Sequence, residues 1–224
     1  PMIGRGYWNT LVIMSTGTLL NLFMTSLGAF VLSRRNLPYK KGMALLILFT
    51  MFFSGGLIPR YLIVTGLGLL DSFLAILLPT AINTYNMIVM RTSFESIPES
   101  LEESAAIDGA NDFIVLARIV LPLSMPVVAV MLLFYGVSHW NSWFSAMIYL
   151  RTRTKFPLQL ILREILTTNS LDSMTTNVGS LDKEPIGETI KYATIVVATI
   201  PVLVLYPFLQ KYFTKGMLIG AIKA

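Results

Sequence analysis

Five long apolar stretches separated by polar turns dominate the chain, at about residues 10–32, 43–58, 72–90, 123–140 and 189–209. A helix crossing a hydrocarbon core of ~30 Å needs about 20 apolar residues, so each stretch predicts a membrane span. The second is the shortest, broken by Gly55-Gly56 and Pro59-Arg60. The apolar run Leu62–Leu70 beyond it predicts a re-entrant or interfacial helix. The fourth continues in apolar fashion toward Leu150. Pro79, Pro126, Pro201 and Pro207 predict kinks or breaks, with packing an equal explanation. The expected fold is all-α, a polytopic transmembrane bundle forming one domain over residues 1–224.

Composition agrees with this pattern. Of 224 residues, 54% are apolar and 13% charged, against roughly 25% charged in soluble domains. Neither a soluble core nor disorder fits such a chain. Seventeen basic minus twelve acidic residues gives a net charge of +5. That charge alone suits an anionic membrane face as well as nucleic acid. With five spans, the expected partner is the lipid bilayer and no nucleic acid. Cysteine is absent, which excludes disulfides, thiolate metal sites and a Cys nucleophile. Pro1 is not an initiator residue, and Gly6-Tyr7-Trp8-Asn9 runs directly into a full-length span. No signal-peptide pattern precedes it, so the chain is expected to be a fragment lacking at least one upstream helix.

Orientation follows from basic residues in short loops. Ser33–Lys41 holds four basic residues and no acidic ones, which places it in the cytoplasm. Alternation then puts residues 94–122 and the C-terminus inside. The N-terminus and the hydrophilic stretch 151–188 fall outside, although Arg151, Arg153, Lys155, Arg163 and Lys183 oppose that bias.

The segment between the third and fourth stretches is unusual. Ser96 and Glu99 have capping-box spacing, and Pro98 suits a first helical turn. Glu99, Glu102 and Glu103 crowd the positive end of that helix. Gly109 is a natural left-handed stop, and a second short helix is expected from Asn111 or Asp112 to Ile119. Leu121-Pro122 should end it and return the chain to the bilayer. Ile97, Leu101, Ala105 and Asp108 share one face of the first helix. On these grounds alone the unit is either a solvated acidic loop or a docking knob.

The spacing Glu103-Ser104-Ala105, three residues, Gly109, nine residues, Ile119-Val120-Leu121-Pro122 resembles the EAA loop of ATP-binding-cassette importer permeases. Ser104 stands where the first Ala of that pattern is usual. Asn9-Thr10-Leu11, Leu32-Ser33-Arg34 and Leu37-Pro38 look like the second-helix region of maltose- and alginate-type carbohydrate permeases. Ile107-Asp108-Gly109-Ala110, His139-Trp140-Asn141, Gln210-Lys211-Tyr212-Phe213 and Lys215-Gly216 resemble the oligosaccharide branch. The resemblance implies a type I ABC importer permease fold without its N-terminal helix. It implies a bacterial plasma-membrane location, a second permease subunit, two ABC ATPase subunits, an extracellular solute-binding protein and a carbohydrate cargo. Residues 94–122 would form the coupling loop, with Glu102, Glu103, Ser104, Ala105, Asp108, Gly109, Ile119, Leu121 and Pro122 as its site residues. Glu103, Ala105 and Gly109 would form the contact core, and Asp108 or Glu102 would pair with a basic residue of the ATPase.

No Gly-x-x-x-x-Gly-Lys-Ser/Thr sequence occurs, so no triphosphate cradle is expected here. The chain is expected to be no enzyme and to carry no cofactor, ATP and Mg being bound by the partner ATPase. Ser138-His139 is the only Ser–His neighbour pair. Adjacent helical side chains point about 100° apart, which argues against a catalytic dyad. Asn83, Tyr85 and Asn86 lie within the third stretch, where amides serve either a substrate path or interhelical hydrogen bonding. An amide cluster with an aromatic face suits a glycan. His139, Trp140 and Asn141 serve either as interfacial anchors or as a gate. A non-sugar cargo is the alternative within the same fold. The outer loop, with Asn169, Asp172 and Asp182, shows no metal-ligand spacing.

Overall fold

The computed structural model describes residues 2–35, 37–175, 189 and 191–204, all-α in architecture. The first helix, α1 (Met2–Ser33), is 32 residues long, or ~48 Å at 1.5 Å per residue. Much of its buried side is small or polar, carrying Gly6, Asn9, Thr10, Gly17, Asn21, Thr25 and Ser26 beside the apolar Ile13, Phe30 and Leu32. Its exposed side carries Trp8, Leu11, Leu19, Phe23 and Val31. This polarity is inverted relative to a soluble protein. In lipid, tails solvate the apolar side while small and polar residues bring helices together.

Lys40–Phe52 (α2) has no buried residue and meets Leu57–Gly66 (α3) at a bend of 108° across the Gly55-Gly56 break. α3 begins at Leu57, within the second stretch, and ends at Gly66, so it covers only the first part of the Leu62–Leu70 run. The third stretch departs from a continuous span. Leu74–Leu77 (α4) passes into a tight turn at Leu78–Thr80, and Asn83 is extended before α5 (Thr84–Glu95) begins. Pro79 explains this departure, because it cannot donate within a continuous ladder.

Glu99–Ile107 (α6) is followed by α7, Asp112–Leu123, whose centre widens into a π-turn over Leu116–Val120. Leu121-Pro122 does not end this helix. The wide turn leaves Pro122 in a first turn, where its missing N–H is harmless. The chain turns instead at Ser124, bending 88° into α8 (Met125–Trp140). Phe144–Tyr149 (α9) is separate from α8, so that apolar continuation is interrupted at residues 141–143. The stretch expected as an outer loop contains α10 (Leu158–Thr175). An apolar helix, α11, covers Lys191–Val204.

Among the described residues, α1 alone is long and apolar enough to span a membrane. The pairs α2–α3 and α7–α8 pass the same test when each is taken as one bent span. α1 is the hub, packing against α5, α8 and α10. Phe30, Met87, Met90, Phe94, Val120 and Met131 form the largest apolar cluster, which extends under α6 through Ala105. The remainder of the fifth stretch, residues 176–188 and the motifs at Gln210–Phe213 and Lys215-Gly216 lie outside the described residues.

Candidate functional site: a helical knob and a cavity beside His139

The knob is α6, the turn after it and the start of α7. Pro98 takes the N-cap position with no side-chain cap bond. Ser96 instead turns its hydroxyl back to donate to the carbonyl of Ser93, at 2.7 Å, so the expected capping box is not formed. The far end closes as the glycine predicts. Gly109 has φ +80°. Its N–H donates to the Ala106 carbonyl at 3.0 Å and that of Ala110 to the Ala105 carbonyl at 2.9 Å. This double bond pattern is a Schellman motif, with Ala105 and Ala110 in the same apolar cluster. Asn111 then caps α7, its Oδ1 accepting from the N–H of Ile114 at 2.9 Å.

The knob has two sides. Ala105 is buried and Ile97 half-buried against the cluster. Ser104, Ala106, Ile107, Asp108 and Gly109 are exposed. Ile107 is 87% exposed and Phe113 70%, the most exposed large apolar side chains of a knob that also exposes Leu101 and Ile114. Glu103 and Asp108 make no ion pair among the described residues.

Other carboxylates face inward, toward the loop between α1 and α2. Glu102 pairs with Arg34, and Glu99 with Arg35 at 2.8 Å. Glu95 pairs with Lys40 at 2.8 Å and Arg91 at 3.0 Å. Burial pushes the Glu95 carboxyl up, but hydrogen bonds and charge from Lys40 and Arg91 outweigh it and hold the group below its ordinary range. Burial lowers the Arg34 pKa, opposed by Asp112 and Glu99. A cavity of about 640 Å³ lies between this loop and the knob.

The second feature lies at the break before α5. The carbonyls of Thr80 and Ala81 lack helical partners there, and Asn21 Nδ2 of α1 donates to both. Asn21 Oδ1 lies 2.6 Å from His139 Nε2. Beside this triad is a cavity of about 220 Å³ lined by Thr80, Ser138, His139, Asn141 and Trp143, among others. Small hydroxyls, an amide and an indole face make it a hydrogen-bonding site with an apolar wall.

Residues 10–219 match the family described as binding-protein-dependent transport system inner membrane component. The chain belongs to that family. This permease is 50% identical over 208 residues to the polygalacturonan/rhamnogalacturonan transport system permease protein YtcP of Bacillus subtilis (strain 168). The match covers 92% of this chain and 72% of the relative. Protein LplC of the same organism is 44% identical over 228 residues, covering 100% of this chain and 75% of LplC. The permease also superimposes with a TM-score of 0.83, at 35% identity, on a crystal structure of a bacterial ABC transporter involved in the import of the acidic polysaccharide alginate. That likeness covers 95% of this chain and 76% of the other. The chain is accordingly an ABC importer permease component rather than an enzyme, ATP hydrolysis belonging to separate subunits in this family.

The permease places the sequence-predicted residues unevenly. Glu103, Ser104, Asp108 and Gly109 lie on the free side of the knob. Glu102 is engaged within the chain by Arg34, and Ala105 lies beneath the knob. Ile119, Leu121 and Pro122 form the return through the π-turn and the start of the next turn. His139 and Asn141 line the cavity. Asn83, Tyr85 and Asn86 do not line it. Asn83 caps α5 by accepting from the Asn86 N–H at 3.1 Å, Asn86 is buried and Tyr85 points outward. Trp140 packs toward Tyr7 and donates to the Ala198 carbonyl at 3.3 Å. Sequence reasoning missed Phe113 and Asn21, and named Ile107 and Arg34 only within motifs, without a site role. For Asn21 the signal was present, an amide in mid-span one turn beyond Gly17 and one turn before Thr25.

Proposed function

We propose that this permease moves a carbohydrate across the inner membrane as one half of a permease pair. Two ATPase subunits drive it and an extracellular solute-binding protein feeds it. The substrates named for YtcP and for the alginate transporter support a carbohydrate cargo, and uronate oligosaccharides are the first class to assay. The N-terminus of the chain is outside, and the knob and C-terminus are cytoplasmic. ATP and Mg²⁺ sit on the ATPase subunits. Closure of the ATPase dimer around nucleotide draws the seated knobs together and turns the permease pair from inward- to outward-facing.

The observation that carries this reading is the pair Ile107 and Phe113, large apolar side chains left exposed on the knob. Such side chains are anchors for a partner's pocket. Glu103 and Asp108 beside them supply charge for a basic partner surface. The cavity beside His139, where hydroxyl and amide groups meet apolar side chains, is the proposed cargo path. The test is reconstitution of the full transporter in vesicles with labelled oligogalacturonate. ATP-dependent uptake is expected, and Ile107→Asp should abolish both ATPase co-purification and uptake. Full uptake by that variant refutes the docking role.

A further inference from the structure

Helix α6 is bounded by non-helical backbone at both ends. Ser96-Ile97-Pro98 is non-helical, with Pro98 at ψ 130° and no side-chain cap, and α6 gives way to the turn at the left-handed Gly109. A backbone broken at both ends transmits little force by itself. Motion of α6 must therefore reach the bundle through side chains. The apolar underside resists compression, but a lateral pull needs a directional tie.

Arg34 supplies one. It sits one residue beyond α1 and is held in place before it meets Glu102. Its guanidinium lies 3.9 Å from the centre of the buried Phe30 ring, and its Nε donates to the Phe30 carbonyl at 3.4 Å. The Arg34 and Glu102 side chains are 25% and 19% exposed, against 76% and 43% for Arg35 and Glu99. Water and salt screen the outer pair heavily and the inner pair much less. Glu102 and Glu103 are neighbours on α6 whose side chains point ~100° apart, one to this chain's own arginine and one to the free side.

We propose that the Arg34–Glu102 pair is the strut through which movement of α6 reaches α1, making Arg34 a positioning residue for transport coupling. This rests on the coupling role given to the knob above. α1 is the right receiver, since it is the hub of the bundle and carries Asn21 into the polar core.

The experiment uses the complete transporter, cleared of any cysteines elsewhere, with Arg34→Cys and Glu102→Cys in this chain, whose residues 1–224 hold no other cysteine. A bis-methanethiosulfonate reagent as long as the two lost side chains restores the tie covalently, each cysteine thiolate displacing methanesulfinate to form a reducible disulfide. The readouts are ATPase co-purification, ATP hydrolysis and cargo moved per ATP. Crosslinked transporter should couple as the wild type does, and reduction of the same sample should lower cargo per ATP about tenfold with the ATPase still bound. Arg35→Gln and Glu99→Gln should leave the ratio unchanged. A ratio insensitive to reduction overturns the strut while leaving the docking role standing. Loss of the ATPase on Ile107→Asp is the separate arm that tests the docking role. Rescue by the tie of one sample, made and broken, separates positioning from misfolding.

Discussion

His139 Nε2 lies 2.6 Å from Asn21 Oδ1, joining α8 to α1 in the buried centre of the bundle. The direction of this bond follows from the other half of the amide. Asn21 Nδ2 donates to the carbonyls of Thr80 and Ala81, so Oδ1 faces the imidazole and can only accept. His139 must therefore carry its proton on Nε2. One amide thus repairs the backbone break before α5 and fixes the histidine tautomer.

Replacing Asn21 by Leu should cost ~1–3 kcal/mol, because two part-buried carbonyls and a buried ring N–H lose this partner together. His139→Gln, which keeps a donor, should cost less than His139→Leu. Thermal unfolding of the purified permease in detergent measures both. Equal melting temperatures for Asn21→Leu and wild type contradict the account.

Gly17 makes room for this histidine. A Cβ there would lie 2.5 Å from His139 Nε2 and 2.8 Å from Leu77 Cδ2. Gly17→Ala should displace the ring and destabilise the protein, although alanine favours helix by ~1 kcal/mol. Gly4, on the same helix with open space around it, should gain stability on the same change. Opposite signs for the two substitutions in a melting assay are expected.

At the other end of the bundle, Asp71 pins the connector between α9 and α10. Its backbone is left-handed at φ +59°. Its carboxylate accepts from the backbone N–H groups of Arg151 and Thr152, from Thr152 Oγ1 and from Lys155 Nζ. The hydrogen bond from Lys155, then those from Thr152 and Arg151, hold the carboxyl well below the ordinary range. A folded pKa below the unfolded one contributes stability that is complete above ~4 and is lost as pH falls toward the folded value. The gap in melting temperature between wild type and Asp71→Asn should be constant from about pH 8 to 5 and narrow below ~4. A gap independent of pH down to the acid limit contradicts the clamp.

Gly109 is required for its backbone rather than for space. A Cβ there meets nothing within 4 Å, while φ is +80°. Gly109→Asn, which tolerates the left-handed region, should retain more coupling than Gly109→Val. A valine variant that transports normally in vesicles contradicts the need for that turn.

Much of this was legible in the chain. The α1 span follows from apolar length, and the knob from acidic spacing, Asn111 and Gly109. What was hidden depended on tertiary partners. Ser96 and Glu99 have the right spacing for a box, yet Ser96 finds the Ser93 carbonyl first. Asn83 and Asn86 looked like path residues, but one caps the helix that carries the other. Glu102 and Glu103 are chemically identical in sequence. Only the packing of α6 against Arg34 separates the inward carboxylate from the outward one. Ile107 and Phe113 read as ordinary apolar residues until the fold leaves them uncovered.

The most direct measurement is a photoreactive residue at position 107 of the assembled transporter, followed by identification of the crosslinked subunit. The account predicts an adduct with the ATPase, lost when Phe113→Asp is added. An adduct with the solute-binding protein, or with lipid alone, contradicts it.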